Sequence, residues 1–145
     1  MKIDIEKIQQ YLSEIKARHR EIEELLLKKS DPEILKEPWI LKGLKYTLIE
    51  IAEAMANTLQ HILAKDMGEP VVGYIETIIR AGETGILPES LSKKLRPFFD
   101  FRNSLIHRYW FISDQSLLAL VRDNKNDFIS FIETVEQYIK HRPTP

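Results

Sequence analysis

The chain contains no cysteine and only 5 glycines among its 145 residues. Without cysteine it can form no disulfide, offers no thiolate nucleophile and cannot hold a cysteine-ligated zinc ion. It has no glycine-rich loop of the kind that cradles phosphates, and no apolar run approaches the roughly 20 residues of a membrane-spanning helix. Lysine plus arginine (21) and aspartate plus glutamate (22) nearly cancel, which leaves a net charge of -1. This balance speaks against a broad surface that coats nucleic acid but allows a small local phosphate site.

The abundant residue types indicate helices packed into one domain. Hydrophobic residues make up 43% of the chain and charged residues 30%, which is typical of a globular protein. Leu, Ile, Glu and Lys are frequent, and all four are compatible with helices. We expect a single domain over residues 1–145, with 140–145 as a frayed tail. The start of the chain, from Met1 to Asp4, lacks the apolar segment of a signal peptide, so a cytoplasmic location is expected.

Apolar residues recur at alternating spacings of three and four in two long segments. The first predicts a helix whose seam consists of Ile5, Ile8, Leu12, Ile15, His19, Ile22 and Leu26. It is expected to end at Ser30 to Pro32, which offers an N-cap and an N-terminal proline to the next segment. The second helix, from about Trp39 to Lys65, has a wider apolar stripe. It is therefore expected to be central and buried on more than one side.

Shorter helices are predicted in the second half, over about 71–81, from Pro88 onward, from Ser113 onward and over about 128–139. Pro97 lies inside the second of these, where it is expected to kink or break the helix because proline donates no backbone hydrogen bond. Long helices joined by short connections predict an all-α fold, an antiparallel bundle of four to five helices.

The run from Phe101 to Trp110 carries the strongest indication of chemistry. It places Arg102, His107 and Tyr109 in the pattern R-x4-H-x-Y, with Asn103 beside the first arginine and Arg108 beside the histidine. An arginine grips phosphate through a planar fork of donors that never loses its charge. A histidine can take or give a proton near neutral pH. Because RNA supplies its own 2′-hydroxyl nucleophile, these two groups could suffice for cleavage without a metal ion.

Regular helix geometry does not bring the arginine and the histidine together. Residues five apart point about 140° away from each other, whereas residues seven apart nearly coincide. Arg102 and Tyr109 would therefore share a face, and His107 would point elsewhere. A local distortion, the long reach of Arg102, or a second copy of the site across a dimer could each resolve this. The other interpretation is a surface cation and a partly buried histidine on an amphipathic helix.

This run resembles the signature of the HEPN family, and of its HepT-like toxin branch in particular. The matching residues are Phe101, Arg102, Asn103, Leu105, His107, Tyr109 and Trp110. Glu53, Asn57 and His61 are similar to a second stretch of the family, in which an aspartate more often stands where this chain has Asn57. Gly85 to Pro88, followed by Leu91, resembles the family's approach to the signature.

The resemblance implies a HEPN-like helical domain that acts as a metal-independent endoribonuclease, the toxin of a type II toxin–antitoxin pair. It implies that Arg102 and His107 are catalytic and that Asn103 helps to order them, without any cofactor. Arg108 would add electrostatic grip on the RNA backbone. The active site would form at the two-fold interface of a homodimer. The partner would be a minimal nucleotidyltransferase antitoxin that can transfer AMP onto Tyr109, where a bulky anion would exclude RNA.

Other interpretations of the sequence are weaker. Ser104 lies three residues before His107, but no glycines of a nucleophile elbow surround it. His61 could approach His107, yet no histidine pair or acidic cluster with metal-ligand spacing accompanies it. The main alternative is a non-catalytic nucleotide- or partner-binding subunit of a nucleotidyltransferase complex, in which Arg102 holds a phosphate without cleavage. A plain dimerisation module is the third.

Overall fold

The computed structural model describes residues 2–106 and 112–142 of the chain. These ranges form seven helices and contain no strand: α1 (Ile5–Lys28), α2 (Asp31–Lys36), α3 (Pro38–Met67), α4 (Tyr74–Glu83), α5 (Glu89–Ile106), α6 (Asp114–Asn124) and α7 (Asn126–His141). The predicted all-α class is confirmed. More helices are present than the four or five of the predicted bundle because short helices, such as α2 and α6, connect the longer ones. None of the seven is both long enough and apolar enough to cross a bilayer.

Local side-chain chemistry sets several of the helix ends. The Asp4 carboxylate accepts a hydrogen bond from the Lys7 backbone N–H at 3.1 Å and caps α1. Ser30 and Glu33 form a reciprocal capping box at the start of α2, which satisfies two backbone donors that a helix start leaves free. Gly68 ends α3 in the left-handed conformation, with φ of 61°. The capping box at Ser30, followed by Pro32 in the first turn of α2, confirms the predicted turn at Ser30 to Pro32.

Helix α3 is the central element, as its wide apolar stripe predicts. It packs against α1, α2, α4 and α5. It runs antiparallel to α1, since Asp4 hydrogen-bonds to His61 and Arg18 pairs with Glu50. Its buried residues are Leu41, Leu44, Leu48, Ile51, Ala52, Ala54, Met55, Ala56, Thr58, Leu59, Ile62 and Leu63. They cover more than one side of the helix, so α3 is the surface on which the other helices assemble.

Helix α5 carries the first part of the R-x4-H-x-Y pattern and continues through Pro97 without a break. The missing proline donor is outweighed by packing on both sides of it, because Leu95, Phe98 and Phe99 are fully buried. The Phe98 ring meets Phe128 of α7 edge-on, with centroids 4.7 Å apart. Aromatic packing on its neighbours thus holds α5 in place.

The end of α7 is tied to the end of α3. The Arg142 guanidinium donates two hydrogen bonds to the Asp66 carboxylate, at 2.5 and 3.0 Å, and the Tyr138 hydroxyl donates a third at 2.9 Å. Residues 140–142, which the sequence assigns to a frayed tail, therefore have defined positions: α7 includes Lys140 and His141, and Arg142 is bound. Residues 143–145 lie outside the described ranges.

This clamp should make stability depend on pH at both extremes. Burial raises the pKa of Asp66, but the hydrogen bonds from Arg142 and Tyr138 outweigh burial and leave that pKa below its usual value. A lowered carboxyl pKa stabilises the fold above the unfolded-state value of about 3.9 and stops doing so as the pH falls through the folded-state value. Burial, together with the bond to Asp66, raises the pKa of Tyr138 to about 12. Its contribution is full below about pH 10, the unfolded-state pKa of tyrosine, and disappears as the pH rises through 12.

The difference in melting temperature between the wild type and Asp66→Asn tests this expectation. We expect the difference to be largest between pH 5 and 9 and to shrink below about pH 4. Glu69→Gln removes a carboxylate from a more exposed ion pair with Arg80 and serves as the control, with a small effect at every pH. A constant gap for Asp66→Asn down to pH 2 would contradict the assigned pKa direction.

Two glycines should respond in opposite ways to replacement by alanine. A Cβ at Gly43, inside the exposed part of α3, would meet nothing within 4 Å, so Gly43→Ala should stabilise the chain by about 0.5–1 kcal/mol. Gly68 has positive φ, and Gly68→Ala should destabilise by about 1–2 kcal/mol. Urea unfolding of both variants measures the two effects. Destabilisation by Gly43→Ala would mean that something outside the described chain packs on this position.

Candidate active site

Arg102 occupies an inward-facing position on α5. Successive residues of an α-helix are rotated by about 100° around its axis, which places Arg102 within about 60° of Leu95, Phe98 and Phe99. All three of these side chains are fully buried. Arg102 thus extends the apolar stripe of α5 by one turn, and its side chain is only partly exposed. A charged residue at such a position requires compensation, because burial of an ion in an apolar environment is costly.

The compensation comes from an aromatic ring. The Arg102 guanidinium carbon lies 3.8 Å from the centroid of the Tyr74 ring, at the first residue of α4. Arginine stacks on the face of an aromatic ring, where the negative side of the ring quadrupole attracts the cation. The buried Nε of Arg102 has no hydrogen-bond partner in the described part of the chain.

This arrangement sets Arg102 apart from the other partly buried arginines in the described ranges. Each of those approaches an Asp or Glu oxygen at 2.5–3.0 Å; they are Arg18, Arg80, Arg122 and Arg142. Arg102 forms no such ion pair with any described carboxylate. Among the described residues its charge has no carboxylate partner, and a guanidinium of this kind can bind a phosphate or another anion.

Tyr74 also has an aromatic neighbour on α5. Its ring lies at 6.5 Å from that of Phe99, at an interplanar angle of 58°. Burial raises the pKa of the Tyr74 hydroxyl; the nearby Arg102 charge opposes this increase, and the charge of Glu53 on α3 adds to it. The phenol thus stays neutral at physiological pH. Glu53 is close enough to act on Tyr74, although it forms no ion pair with Arg102.

Asn103 faces a different direction. It lines a cavity of about 560 Å³ between α4, α5 and α6. The other lining residues are Ile75, Pro97, Asp100, Phe101, Ser104, Ile112, Ser116 and Leu120. Successive helix residues point about 100° apart, so Asn103 and the cavity lie away from the Tyr74 side of α5. The structure therefore places Arg102 on the Tyr74 ring and Asn103 at the cavity wall, without a hydrogen bond between them.

The remaining predicted site residues, His107, Arg108 and Tyr109, lie outside the described residues. Their roles remain predictions from the sequence. The first described residue after them is Ile112, which lines the cavity beside Asn103.

The side chains weighed for other chemistry have structural roles. The buried Ser104 hydroxyl donates to the Phe101 carbonyl at 2.9 Å. The His61 Nε2 accepts from the Asp4 backbone N–H at 2.9 Å, which requires a neutral ring, and burial lowers its pKa. His19 is largely buried and lies 3.6 Å from Glu23. Within the described ranges, no three His, Asp or Glu residues are grouped as a metal site would require.

Sequence reasoning missed Tyr74. It is one of 5 tyrosines in the chain and lies 28 positions before Arg102, so no local spacing connects the two residues. In the sequence, only the family resemblance points to Glu53. A tyrosine at the start of a short helix that follows a glycine gives no recognisable indication of such a contact.

Comparison with known proteins identifies the family. The family of proteins described as "Ribonuclease HepT-like" matches residues 4–135. The chain belongs to the HepT-like ribonuclease family. A relative from Archaeoglobus fulgidus, named "Putative RNase", is 30% identical over 109 residues, which cover 75% of this chain and 82% of the relative. The resemblance inferred from the residues is thus confirmed.

Solved structures agree with this HepT-like fold. The tri-AMPylated HEPN toxin of Shewanella oneidensis, solved in complex with an MNT antitoxin, superposes with a TM-score of 0.82 at 17% identity, covering 90% of this chain and 97% of that one. The cytosolic protein YutE of Bacillus subtilis, of unknown function, gives 0.78 at 14% identity, covering 99% and 96%. A mutant MntA–HpeT toxin–antitoxin complex gives 0.73 at 18% identity, covering 91% and 98%.

Proposed function

We propose that this HepT-like protein is a metal-independent endoribonuclease that acts in the cytoplasm as the toxin of a type II toxin–antitoxin pair. The observation that carries the proposal is Arg102: a partly buried guanidinium on an aromatic ring, with an unpartnered Nε and no carboxylate partner in the described chain. Membership of the HepT-like ribonuclease family and the name of the Archaeoglobus relative support RNA as the substrate. Two structural neighbours are toxin–antitoxin complexes, which supports the toxin role.

In the proposed reaction, His107 removes the proton from the ribose 2′-hydroxyl, directly or through a water molecule. The 2′-oxygen forms a bond to phosphorus as the bond from phosphorus to the 5′-oxygen breaks, and the 5′-oxygen takes up a proton. Arg102 holds the phosphate and stabilises the charge that develops on it. Asn103 orders the phosphate or the arginine, and Arg108 grips the RNA backbone. The products are a 2′,3′-cyclic phosphate and a free 5′-hydroxyl.

The proposed partner is a minimal nucleotidyltransferase that serves as antitoxin. The Shewanella HEPN toxin is tri-AMPylated and bound to an MNT antitoxin, which supports AMP transfer onto Tyr109 in this chain. The phenol oxygen would attack the α-phosphorus of ATP, pyrophosphate would leave and the phenol proton would pass to solvent. The added anion, two residues from His107, would repel and block the RNA backbone. A mass increase of one or more AMP groups that is absent in Tyr109→Phe would support this regulation.

A homodimer with a composite active site completes the proposal. The exposed face of α3 supports an interface between two copies, since Trp39 and Tyr46 are 80% and 64% exposed and lie on one face, seven residues apart. Gly43 lies between them and is also exposed, and no described atom lies within 4 Å of the position that a Cβ would take there. Large exposed aromatic side chains of this kind suit an interface with a second copy. Light scattering after size exclusion should show a dimer that Tyr46→Lys weakens.

Incubation of the purified protein with total RNA in excess chelator tests the function. Cleavage, with cyclic phosphate ends on the products, would support the ribonuclease, and expression of the chain alone should then arrest bacterial growth. Intact RNA from a protein whose mass shows no adduct would favour the non-catalytic subunit of a nucleotidyltransferase complex instead. Cleavage that stops on chelation would contradict the metal-independent mechanism.

A further inference from the structure

We propose that Tyr74 is the positioning residue for Arg102: its ring fixes the plane of the guanidinium so that the unused donors meet the RNA phosphate. This inference rests on the proposed function, because it assigns to Tyr74 a role in the same site. Its basis is the 3.8 Å stack between the guanidinium carbon and the ring centroid.

An arginine needs such a support because its side chain is long and flexible. Ordering it costs rotamer entropy, and hydrogen bonds to a carboxylate usually recover that cost. Arg102 forms no ion pair or side-chain hydrogen bond within the described residues, and its Nε is without a partner. The Tyr74 ring is therefore the contact that determines the orientation of the guanidinium. A stack, unlike an ion pair, leaves the donors of the two terminal guanidinium nitrogens without a partner among the described residues, and so available to the ligand.

The ring can serve this role because its own position is fixed. The Gln60 amide on α3 donates to the Val72 carbonyl and to the Thr77 hydroxyl, both at 3.1 Å, and so secures the start of α4. The Ser92 hydroxyl of α5 donates to the Ile78 carbonyl at 2.6 Å. Close packing completes the contact, since a Cβ at Gly82 would lie 2.9 Å from the Ser92 side chain. Helices α4 and α5, which carry Tyr74 and Arg102, thus keep a constant separation.

Two replacements at Tyr74 separate the ring from its hydroxyl. Tyr74→Phe retains the stack, whereas Tyr74→Leu keeps an apolar side chain without a ring. The readout is the affinity for a 2′-O-methyl RNA oligonucleotide, which cannot be cleaved through its 2′-oxygen, measured by fluorescence anisotropy. We expect Tyr74→Phe to bind within about 2-fold of the wild type and Tyr74→Leu to bind about 3- to 30-fold more weakly, the factor that corresponds to a lost cation–π contact. Tyr11→Leu makes the same chemical change on α1 and should leave the affinity unchanged.

A double-mutant cycle shows whether Tyr74 acts through Arg102. In an Arg102→Gln background, Tyr74→Leu should cause no further loss of RNA affinity, because the group that Tyr74 positions is gone.

The Arg102 Nε–H signal in NMR spectra gives a readout without RNA. It should broaden or shift in Tyr74→Leu but not in Tyr11→Leu. Melting curves show whether Tyr74→Leu is folded; if it is not, Tyr74→Trp, which keeps a ring, should bind like the wild type.

The outcomes distinguish this inference from the proposed function. If Arg102→Gln leaves both RNA affinity and cleavage unchanged, the proposed function fails. If Arg102→Gln abolishes both while Tyr74→Leu binds like the wild type, or if the losses in the cycle simply add, the positioning role of Tyr74 is wrong and the function stands. An unchanged Nε–H signal in folded Tyr74→Leu would also overturn the positioning role.

Discussion

Arg102→Ala is expected to reduce the RNA cleavage rate by about 10²- to 10³-fold, the usual cost of removing a group that stabilises transition-state charge. The physical reason is that Arg102 is the partly buried arginine whose donors no described carboxylate uses. Initial cleavage rates on a short RNA of defined sequence, with product ends mapped, measure the effect. Growth arrest on expression of the chain alone should disappear in parallel.

The matched control lies on the same helix. Arg96 is exposed and only loosely paired with Asp100, at 3.9 Å, so Arg96→Ala removes an equal charge six residues from Arg102 without touching the Tyr74 stack. We expect it to retain cleavage within about 3-fold of the wild type, as an exposed pair of this kind contributes little. Equal losses in Arg96→Ala and Arg102→Ala would mean that net charge, and not a built phosphate site, explains the effect.

His107→Ala is expected to lose cleavage by about 10²- to 10⁴-fold, the contribution of a general base, while RNA affinity falls little. This split distinguishes proton transfer from phosphate binding, because Arg102→Ala should weaken both. The pH profile gives a second check: the rate of the wild type should rise with pH as the imidazole loses its proton. A variant without His107 that cleaved at the wild-type rate would disprove its assignment as the base.

Phe98→Ala is expected to destabilise the fold by about 3–5 kcal/mol, the usual cost of deleting a buried phenyl ring. Phe98 is fully buried and meets Phe128 of α7 edge-on at 4.7 Å, so its loss leaves a cavity in the contact between α5 and α7. Since typical domains are stable by only about 5–15 kcal/mol, the variant should be close to unfolding at 37 °C. Urea or thermal unfolding followed by circular dichroism measures the loss.

Two control variants show whether the loss of stability comes from the buried ring of Phe98. Phe98→Leu keeps most of the buried volume and should cost clearly less than Phe98→Ala. Val72→Ala shortens a side chain that is 87% exposed and should leave the stability within about 0.5 kcal/mol of the wild type. A loss below about 1 kcal/mol for Phe98→Ala would mean that α5 is not anchored on α7 as described.

The sequence by itself determined the fold class and the central position of α3. Helical periodicity shows directly which residues must be buried, and the stripe from Leu41 to Leu63 was wide enough to predict burial on more than one side. Capping residues such as Ser30 and Glu33 lie three positions apart, so the capping box can also be recognised in the sequence. The R-x4-H-x-Y pattern was sufficient to indicate a family that comparison then confirmed.

Pro97 shows where local rules fall short. Its missing donor predicted a kink or a break, yet α5 continues past it because Phe98 and Phe99 pack against other helices. The cost of one absent hydrogen bond is local and visible in the sequence, whereas the packing that offsets it comes from elements far along the chain.

Only the tertiary structure decided what surrounds Arg102. Arg102 and Tyr74 lie on different helices, and no spacing in the sequence indicates that they stack. The same is true of Asp66 and Arg142, which are separated by 76 positions and form the bidentate pair at the end of the bundle. Helical periodicity specifies which way a side chain faces but not what it faces, because contacts between helices depend on how all of them pack around one core.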